Sequence, residues 1–209
     1  MPKVSLAEFI AAAQVGDLVS FPTDTVPALA SRPDRSEHIY QIKKRSPTKP
    51  LILMGATWAD LLPYVAGTPE EVSTWEALVQ QHWPGALTLV LPATERVPPS
   101  MNPEQTGTIG VRVPDHPLAQ YLLERTGPMA TTSVNRFGSP PLETMAEITG
   151  TFPQIFTLSR DALGAIYPLL AGTKPPAEDQ PQGSGLPSTV VQWANPGWEV
   201  LRQGAVTLG

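Results

Sequence analysis

The 209-residue chain contains no cysteine, which excludes a disulfide framework and a thiolate metal site. Its three histidines, His38, His82 and His116, are scattered, and isolated histidines are more typical of packing or surface positions than of metal ligands. No apolar run approaches the roughly 20 residues that a membrane-spanning helix needs. No cationic segment followed by an apolar run indicates a signal peptide. These absences predict a soluble, cytoplasmic protein with no membrane association and no metal ligands of its own.

Basic charge is also scarce, since 14 Lys and Arg face 19 Asp and Glu, giving a net charge of −5. The chain therefore lacks the strongly basic character of nucleic-acid-binding domains, although a local basic patch remains compatible with the composition. The sequence contains no P-loop, no G-x-G-x-x-G after a strand, no H-E-x-x-H and no G-x-S-x-G. These gaps argue against P-loop, Rossmann, zinc-protease and α/β-hydrolase chemistry.

Hydrophobic periodicity and capping residues predict short helices alternating with short strands. Helices are predicted over 5–14, 36–44, 57–62 and 69–82, and a further helix is predicted to be capped by Asp115. Strands are predicted over 18–21, 51–54, 86–91, 107–113, 128–132, 155–158, 188–193 and 198–201, with a weaker one over 162–170. No repeat or composition shift divides the chain. We therefore expect one α/β domain over residues 1–209, with a twisted, mixed parallel and antiparallel sheet flanked by helices.

The stretch 20–30 places polar side chains at the end of a buried strand. Pro22 removes a backbone donor and stops sheet pairing, and Thr23, Asp24 and Thr25 follow at once. Open α/β sheets bind ligands beyond the ends of their strands. The same residue types are common in ordinary turns, so the spacing alone leaves both interpretations open.

The dense basic run of the chain, residues 43–50, follows the helix predicted over 36–44. Lys43 and Arg45 would point to opposite sides of a continuous helix, but Pro47 disfavours helix at Ser46. On an unwound chain both cations share a face and can reach one anionic ligand. Taken alone, the run is more typical of a solvated helix C-terminus, where cations are favoured by the helix dipole.

Hydroxyls and single cations recur at element ends along the whole chain. The hydroxyls are Thr23, Thr25, Thr132, Ser133, Ser188 and Thr189, and the cations are Lys43, Arg45, Arg112 and Arg202. Arg112 is unusual inside an apolar strand and is predicted to face either a polar cleft or solvent. The set suits a polyphosphate or an adenylate better than covalent catalysis, since no base accompanies a nucleophile. The Pro- and Gly-rich segment 172–187 is either a passive linker or a mobile lid.

Taken together, these segments resemble the YrdC/TsaC family of threonylcarbamoyl-AMP synthases over nearly the whole chain. The matching motifs are Phe-Pro-Thr-Asp-Thr-Val at 21–26, Ile-Lys-Lys-Arg at 42–45, Lys-Pro-Leu at 49–51, Trp-Pro-Gly-Ala-Leu-Thr-Leu-Val at 83–90, Gly-Val-Arg-Val-Pro-Asp-His-Pro at 110–117, Ala-Thr-Thr-Ser-Val-Asn at 130–135, Gly-Leu-Pro-Ser-Thr-Val-Val at 185–191 and Arg-Gln-Gly-Ala at 202–205. Each motif is short, but their conjunction in this order is specific. The chain is similar to the short form of the family, without the extra C-terminal domain that longer members carry.

The resemblance implies a YrdC-like fold and the synthesis of threonylcarbamoyl-adenylate and pyrophosphate from L-threonine, bicarbonate and ATP. The product would serve modification of the tRNA adenosine next to the anticodon. By the same resemblance, Lys43 and Arg45 would be catalytic and bind the triphosphate, Thr23, Thr25, Arg112 and Ser188 would bind threonine, and Thr132, Ser133, Asn135 and Arg202 would line the ATP site. Mg²⁺ is the expected companion of ATP. Partner proteins of tRNA modification are compatible with this role, and direct tRNA binding stays open.

Two departures from the family pattern leave alternatives open. The family has Tyr-Gly after Thr-Asp-Thr-Val, whereas this chain has Pro27-Ala28, and its Ser-Ala-Asn reads Ser133-Val134-Asn135 here. The first change removes an aromatic ring and a flexible glycine, which bears on the choice of amino-acid substrate. A paralogue that uses another amino acid, or a non-catalytic RNA-binding module, are the competing hypotheses. The acidic net charge counts against the second.

Overall fold

The computed structural model describes residues 3–44, 50–136, 138–170 and 174–208. Their helices are α1 Leu6–Val15, α2 Glu37–Lys43, α3 Trp58–Leu61, α4 Pro69–His82, α5 Pro117–Thr126, α6 Met145–Thr151 and α7 Arg160–Ile166. Their strands are β1 Lys3–Val4, β2 Val19–Phe21, β3 Ala28–Ser31, β4 Ile52–Met54, β5 Leu87–Pro92, β6 Thr108–Arg112, β7 Met129–Ser133, β8 Thr157–Leu158, β9 Thr189–Trp193 and β10 Trp198–Arg202. Over these described stretches, every helix is too short or too polar to cross a bilayer.

Within the described ranges, eight strands form one mixed sheet in the order β10-β9-β5-β6-β4-β7-β3-β2. The pairs β4–β6 and β5–β9 are parallel, and the other neighbours are antiparallel. Strands β1 and β8 form a separate parallel pair. The predicted α/β architecture with a mixed sheet flanked by helices is therefore confirmed.

Side-chain caps explain where several helices begin. The side chains of Ser5, Thr57, Thr68 and Thr144 each accept a hydrogen bond from the backbone N–H three residues later. The acidic side chain at that later position accepts one from the backbone N–H of the capping residue. Such a cap contributes about 1 kcal/mol. Helix α1 ends at Gly16, whose φ of 94° is the left-handed conformation that glycine adopts without strain.

The core lies on both faces of the sheet, because neighbouring strand residues point to opposite sides. Leu29 and Leu53 pack in one cluster with Ile39 of α2, and Trp75 of α4 belongs to the same cluster. Ala28, Ala30 and Met54 belong to a second cluster, together with residues of α1, α5 and α7. The sheet thus separates two helical layers.

The structure corrects five predictions on secondary structure. Strands β1 and β3 and helix α6 were not predicted, and the segment 162–170 is not extended, because α7 ends at Ile166 and a 3-10 helix spans Tyr167–Leu169. Strand β3 reads Ala-Leu-Ala-Ser and carries few strongly strand-forming residues, so only its pairing between β2 and β7 makes it a strand. The side chain that caps α5 belongs to His116 rather than Asp115: its ring nitrogen Nδ1 accepts from the Ala119 N–H.

Candidate active site

A cavity of about 750 Å³ lies on the sheet face that carries the second core cluster. Its lining includes Ala28 and Met54, which also belong to that cluster. Strand register explains the floor of the cavity. A row of laterally paired residues crosses the sheet from β9 to β7, namely Gln192, Val90, Gly110, Ile52 and Thr131. These side chains are of small or moderate size, so the centre of the sheet lies beneath an open space.

The turn after β2 stands at one side of this cavity. The hydroxyls of Thr23 and Thr25 are buried and lie 3.0 Å apart. The Thr23 hydroxyl also lies 2.7 Å from the Val26 carbonyl oxygen, to which it donates, and it accepts from the Thr25 N–H. These bonds hold the turn in one conformation and present both threonines to the cavity.

Arg112, at the end of β6, is 4% exposed and lies beside this turn. Its guanidinium donates from Nη1 to the Thr25 hydroxyl over 2.8 Å, from Nη2 to the Asp24 carboxylate over 2.6 Å and from Nε to the Gly85 carbonyl over 3.0 Å. A buried arginine needs such partners, because an unpaired buried charge is costly. Arg112 therefore connects the turn of β2 to the loop before β5.

Ser188 and Arg202 form a second polar group at the cavity. Ser188, just before β9, shares a 2.9 Å hydrogen bond with the Thr88 hydroxyl of β5. Arg202, at the end of β10, donates from Nη2 to the Ser188 carbonyl oxygen over 2.7 Å and to its hydroxyl over 3.1 Å. The described residues offer Arg202 no carboxylate within ion-pair distance, so its positive charge is available to an anion.

Electrostatics link the two arginines. Burial lowers the pKa of the Arg112 guanidinium, Asp24 opposes the shift and the nearby charge of Arg202 adds to it. Desolvation also lowers the pKa of Arg202. Guanidinium groups nevertheless stay protonated in proteins. Two cations close enough to repel each other across one cavity favour the binding of an anion between them.

The other side of the cavity carries Lys43, the last residue of α2. Its side chain is buried, and Nζ donates to the Ser133 carbonyl over 2.5 Å, to the Asn135 side-chain oxygen over 2.6 Å and to the Thr132 hydroxyl over 3.4 Å. Asn135 also accepts from the Ser133 hydroxyl and donates its amide N–H groups to backbone carbonyls, one of them that of Ser139 over 2.6 Å. Asn135 thereby orients Lys43 at the end of β7.

The described part of the predicted lid, 174–187, packs against the turn after β2. Gly183 adopts φ +95°, and a Cβ there would lie 2.5 Å from the carbonyl oxygens of Thr23 and Thr25. The next two N–H groups, from Ser184 and Gly185, donate to the Asp24 and Thr25 carbonyls over 3.0 and 2.9 Å. Farther back, Glu178 pairs with Lys3. The segment is therefore held against the turn, and whether it opens as a lid stays a prediction.

His116 lies close enough to the Asp24 carboxylate to be affected by its charge. Burial lowers the pKa of its imidazole, and the carboxylates of Asp24 and Asp115 oppose this shift. The histidine was predicted to be a packing or surface residue. Its helix-capping position is a structural role of that kind.

Of the described hydroxyls and cations singled out in the sequence, the structure brings all but Thr189 into one cavity, although they come from distant parts of the chain. The Thr189 hydroxyl instead donates to the Val206 carbonyl oxygen. Thr23, Thr25, Lys43, Arg112, Thr132, Ser133, Asn135, Ser188 and Arg202 all line it. Arg45 lies outside the described residues, so its placement stays a prediction, and so do the ligand roles of the whole set. Sequence reasoning placed Asp24 at the strand end but gave it no ligand role, and it did not single out Thr88. A signal for Thr88 exists, since it is the polar side chain between Leu87 and Leu89 in an apolar strand.

Across the described ranges, no three His, Asp or Glu side chains lie close enough together to hold a metal ion. Asp24, the carboxylate of the turn after β2, is paired with Arg112.

Comparisons with known proteins agree with this geometry. A family model named Sua5_yciO_yrdC and described as "Telomere recombination" matches residues 11–164. A threonylcarbamoyl-AMP synthase of Chromohalobacter salexigens is 34% identical over 163 residues, which cover 76% of this chain and 86% of that protein. The Bacillus subtilis protein of the same name is 34% identical over 97% of this chain.

Among solved structures, P. abyssi Sua5 complexed with L-threonine has a TM-score of 0.78 and 28% identity over 95% of this chain. This chain spans 54% of the length of that protein and of the Bacillus subtilis relative.

Proposed function

The chain belongs to the Sua5/YciO/YrdC family, and from this membership we propose that it is a threonylcarbamoyl-AMP synthase. The reaction joins L-threonine, bicarbonate and ATP into threonylcarbamoyl-adenylate, with release of pyrophosphate and water. The observation that carries the proposal is the convergence of Lys43, Arg112 and Arg202 on one cavity lined with hydroxyl groups. A volume of about 750 Å³ is in the range of sites that enclose a nucleotide-sized ligand.

The chemistry needs alignment and charge neutralisation more than a protein nucleophile. The threonine amine combines with bicarbonate to give a carbamate and water. A carbamate oxygen then attacks the α-phosphorus of ATP, and the bond to the β-phosphate oxygen breaks. Positioning and cationic clamps are the main contributions of proteins to such transfers. Lys43 and Arg202 are suited to the phosphates, while the Thr23–Thr25 turn, held by Arg112, is suited to the amino acid.

Mg²⁺ would enter as part of the MgATP substrate, with the phosphate oxygens as its main ligands. The lack of a three-residue acidic or histidine cluster in the described chain fits an ion carried by its nucleotide. Its chemistry would be to neutralise charge on the phosphates. The product would serve threonylcarbamoyl modification of tRNA through partner proteins.

Pyrophosphate release tests this function. The purified protein is incubated with MgATP, and L-threonine and bicarbonate are omitted one at a time. Release that requires both substrates, with formation of the adenylate, supports the proposal. Release with L-serine or another amine but not L-threonine would instead identify a paralogue with altered specificity, as Pro27 in place of the family tyrosine allows. No release, with salt-sensitive RNA binding, would indicate an RNA-binding module.

A further inference from the structure

We propose that Thr88 is a positioning residue that sets the direction of the Ser188 hydroxyl and thereby the affinity for the amino-acid substrate. This inference rests on the proposed function. It concerns the interior of the sheet, where β5 and β9 run parallel and pair Thr88 with Val190, two residues beyond Ser188. Thr88 is 0% exposed and Ser188 is 3% exposed, so neither hydroxyl has free access to bulk water.

The direction of the Thr88–Ser188 hydrogen bond follows from counting partners. Within the described residues, the hydroxyl of Thr88 has one partner, the Ser188 Oγ at 2.9 Å. Its proton must be donated to Ser188 or remain buried without an acceptor, which is unfavourable. Thr88 is therefore the donor of this pair.

The remaining contacts of Ser188 then determine its own proton. Its Oγ also lies 3.1 Å from Nη2 of Arg202, a group that can only donate. A serine oxygen has two lone pairs, and these two donors occupy both. The Ser188 proton has no acceptor left among them, and Ser188 lines the cavity. The geometry thus directs one O–H donor at the ligand.

A donor in this position suits a carboxylate, which accepts hydrogen bonds but does not donate them. Without Thr88, the Ser188 hydroxyl is free to rotate, and its second lone pair is unoccupied. The loss should be confined to the ligand that Ser188 contacts, because Thr88, although it is among the residues around the cavity, is 0% exposed and acts through its hydrogen bond to Ser188. We expect a loss in threonine affinity the size of one neutral hydrogen bond, about five- to tenfold.

The test compares Thr88→Val, which removes the hydroxyl and keeps the branched shape, with Thr88→Ser, which keeps the hydroxyl. Steady-state pyrophosphate release gives KM for L-threonine, KM for ATP and kcat, and calorimetry gives the Kd for L-threonine. T88V should raise KM and Kd for threonine about five- to tenfold and leave KM for ATP and kcat within about twofold. T88S should restore the wild-type values.

The matched control is Thr157→Val in β8, which removes another buried hydroxyl, 1% exposed, that does not line this cavity. It should leave threonine binding unchanged. If T88V does not fold, Thr88→Cys replaces it, since a thiol donates only weakly, and the same threonine-specific rise is expected.

A T88V protein with wild-type threonine binding, or a T88S protein as impaired as T88V, overturns this inference while leaving the proposed function intact. An equal fall in every parameter would show that Thr88 is merely structural. A wild-type protein that neither turns over nor binds L-threonine would overturn the proposed function and this inference together.

Discussion

Replacing Arg112 with methionine should destabilise the protein strongly, because it leaves the Asp24 carboxylate without its partner. The two side chains are 5% and 16% exposed and lie 2.6 Å apart. Removing one member of a buried ion pair costs about 3–5 kcal/mol. For a domain of this size, that corresponds to a fall in Tm of about 10 °C.

The structure offers a matched control in Arg32→Met. Arg32 and Asp34 also approach to 2.6 Å, but their side chains are 41% and 55% exposed. Exposed pairs of this kind contribute about 0–1 kcal/mol. Identical chemistry at the same distance therefore separates the effect of burial from that of the pairing itself.

Urea unfolding followed by tryptophan fluorescence measures both variants, together with Asp24→Asn and the double variant. In R112M/D24N neither position carries an unpaired buried charge. We therefore expect the loss in unfolding free energy of the double variant to be about 2 kcal/mol smaller than the sum of the two single losses. If R112M costs no more than R32M, or if the single losses simply add, the argument that a buried pair holds this turn is refuted.

Three further predictions follow from the site. Lys43→Ala should lower the rate of pyrophosphate release about 10²–10³-fold and leave the circular dichroism spectrum unchanged. Lys44→Ala, at the exposed neighbouring position, should keep a rate close to that of the wild type. Equal losses in the two variants would show that Lys43 does not bind the phosphates. Gly183→Ala should lower Tm and raise KM for threonine, because its Cβ would lie 2.5 Å from two carbonyl oxygens. Gly138→Ala is the control for backbone strain alone, because Gly138 has φ +78° and no neighbour within 4 Å of a Cβ. Equal losses in Tm for the two variants would exclude the close contact as the cause. Burial lowers the pKa of His116 from its ordinary value of 6.5, so the unfolded chain binds a proton that the folded protein does not. The free energy of unfolding should therefore fall as the pH drops below about 6.5. His116→Asn, which can still cap α5, should remove part of that fall, and a pH profile identical to that of the wild type would contradict this prediction.

Local signals carried most of the secondary-structure prediction. The predicted starts of α1 and α4 agree with the structure to within one residue, because their caps act over three residues of sequence. Helix α6 begins with a capping box of Thr144 and Glu147, so the signal for its start is present in the sequence. Strand β3 was a real limit, since its small residues become a strand only by pairing between the nearby β2 and β7, which lies far along the chain.

The candidate site divides in the same way. The amino-acid sequence alone shows which residue types recur at element ends, and the order of the motifs is enough to indicate the family. Hydroxyls and cations are recognisable one at a time, because their chemistry is local.

Which of these groups come into contact, and which hydrogen bonds each forms, follows from the three-dimensional fold. The sheet register brings Thr88 beneath Ser188, a hundred residues away in the chain. Folding likewise brings Arg112 to Asp24, 88 residues away. The partner of a buried donor depends on strand pairing and packing over such distances, and no local pattern encodes it. For that reason the sequence predicted an anion-binding cavity, but not the hydrogen bonds that orient it.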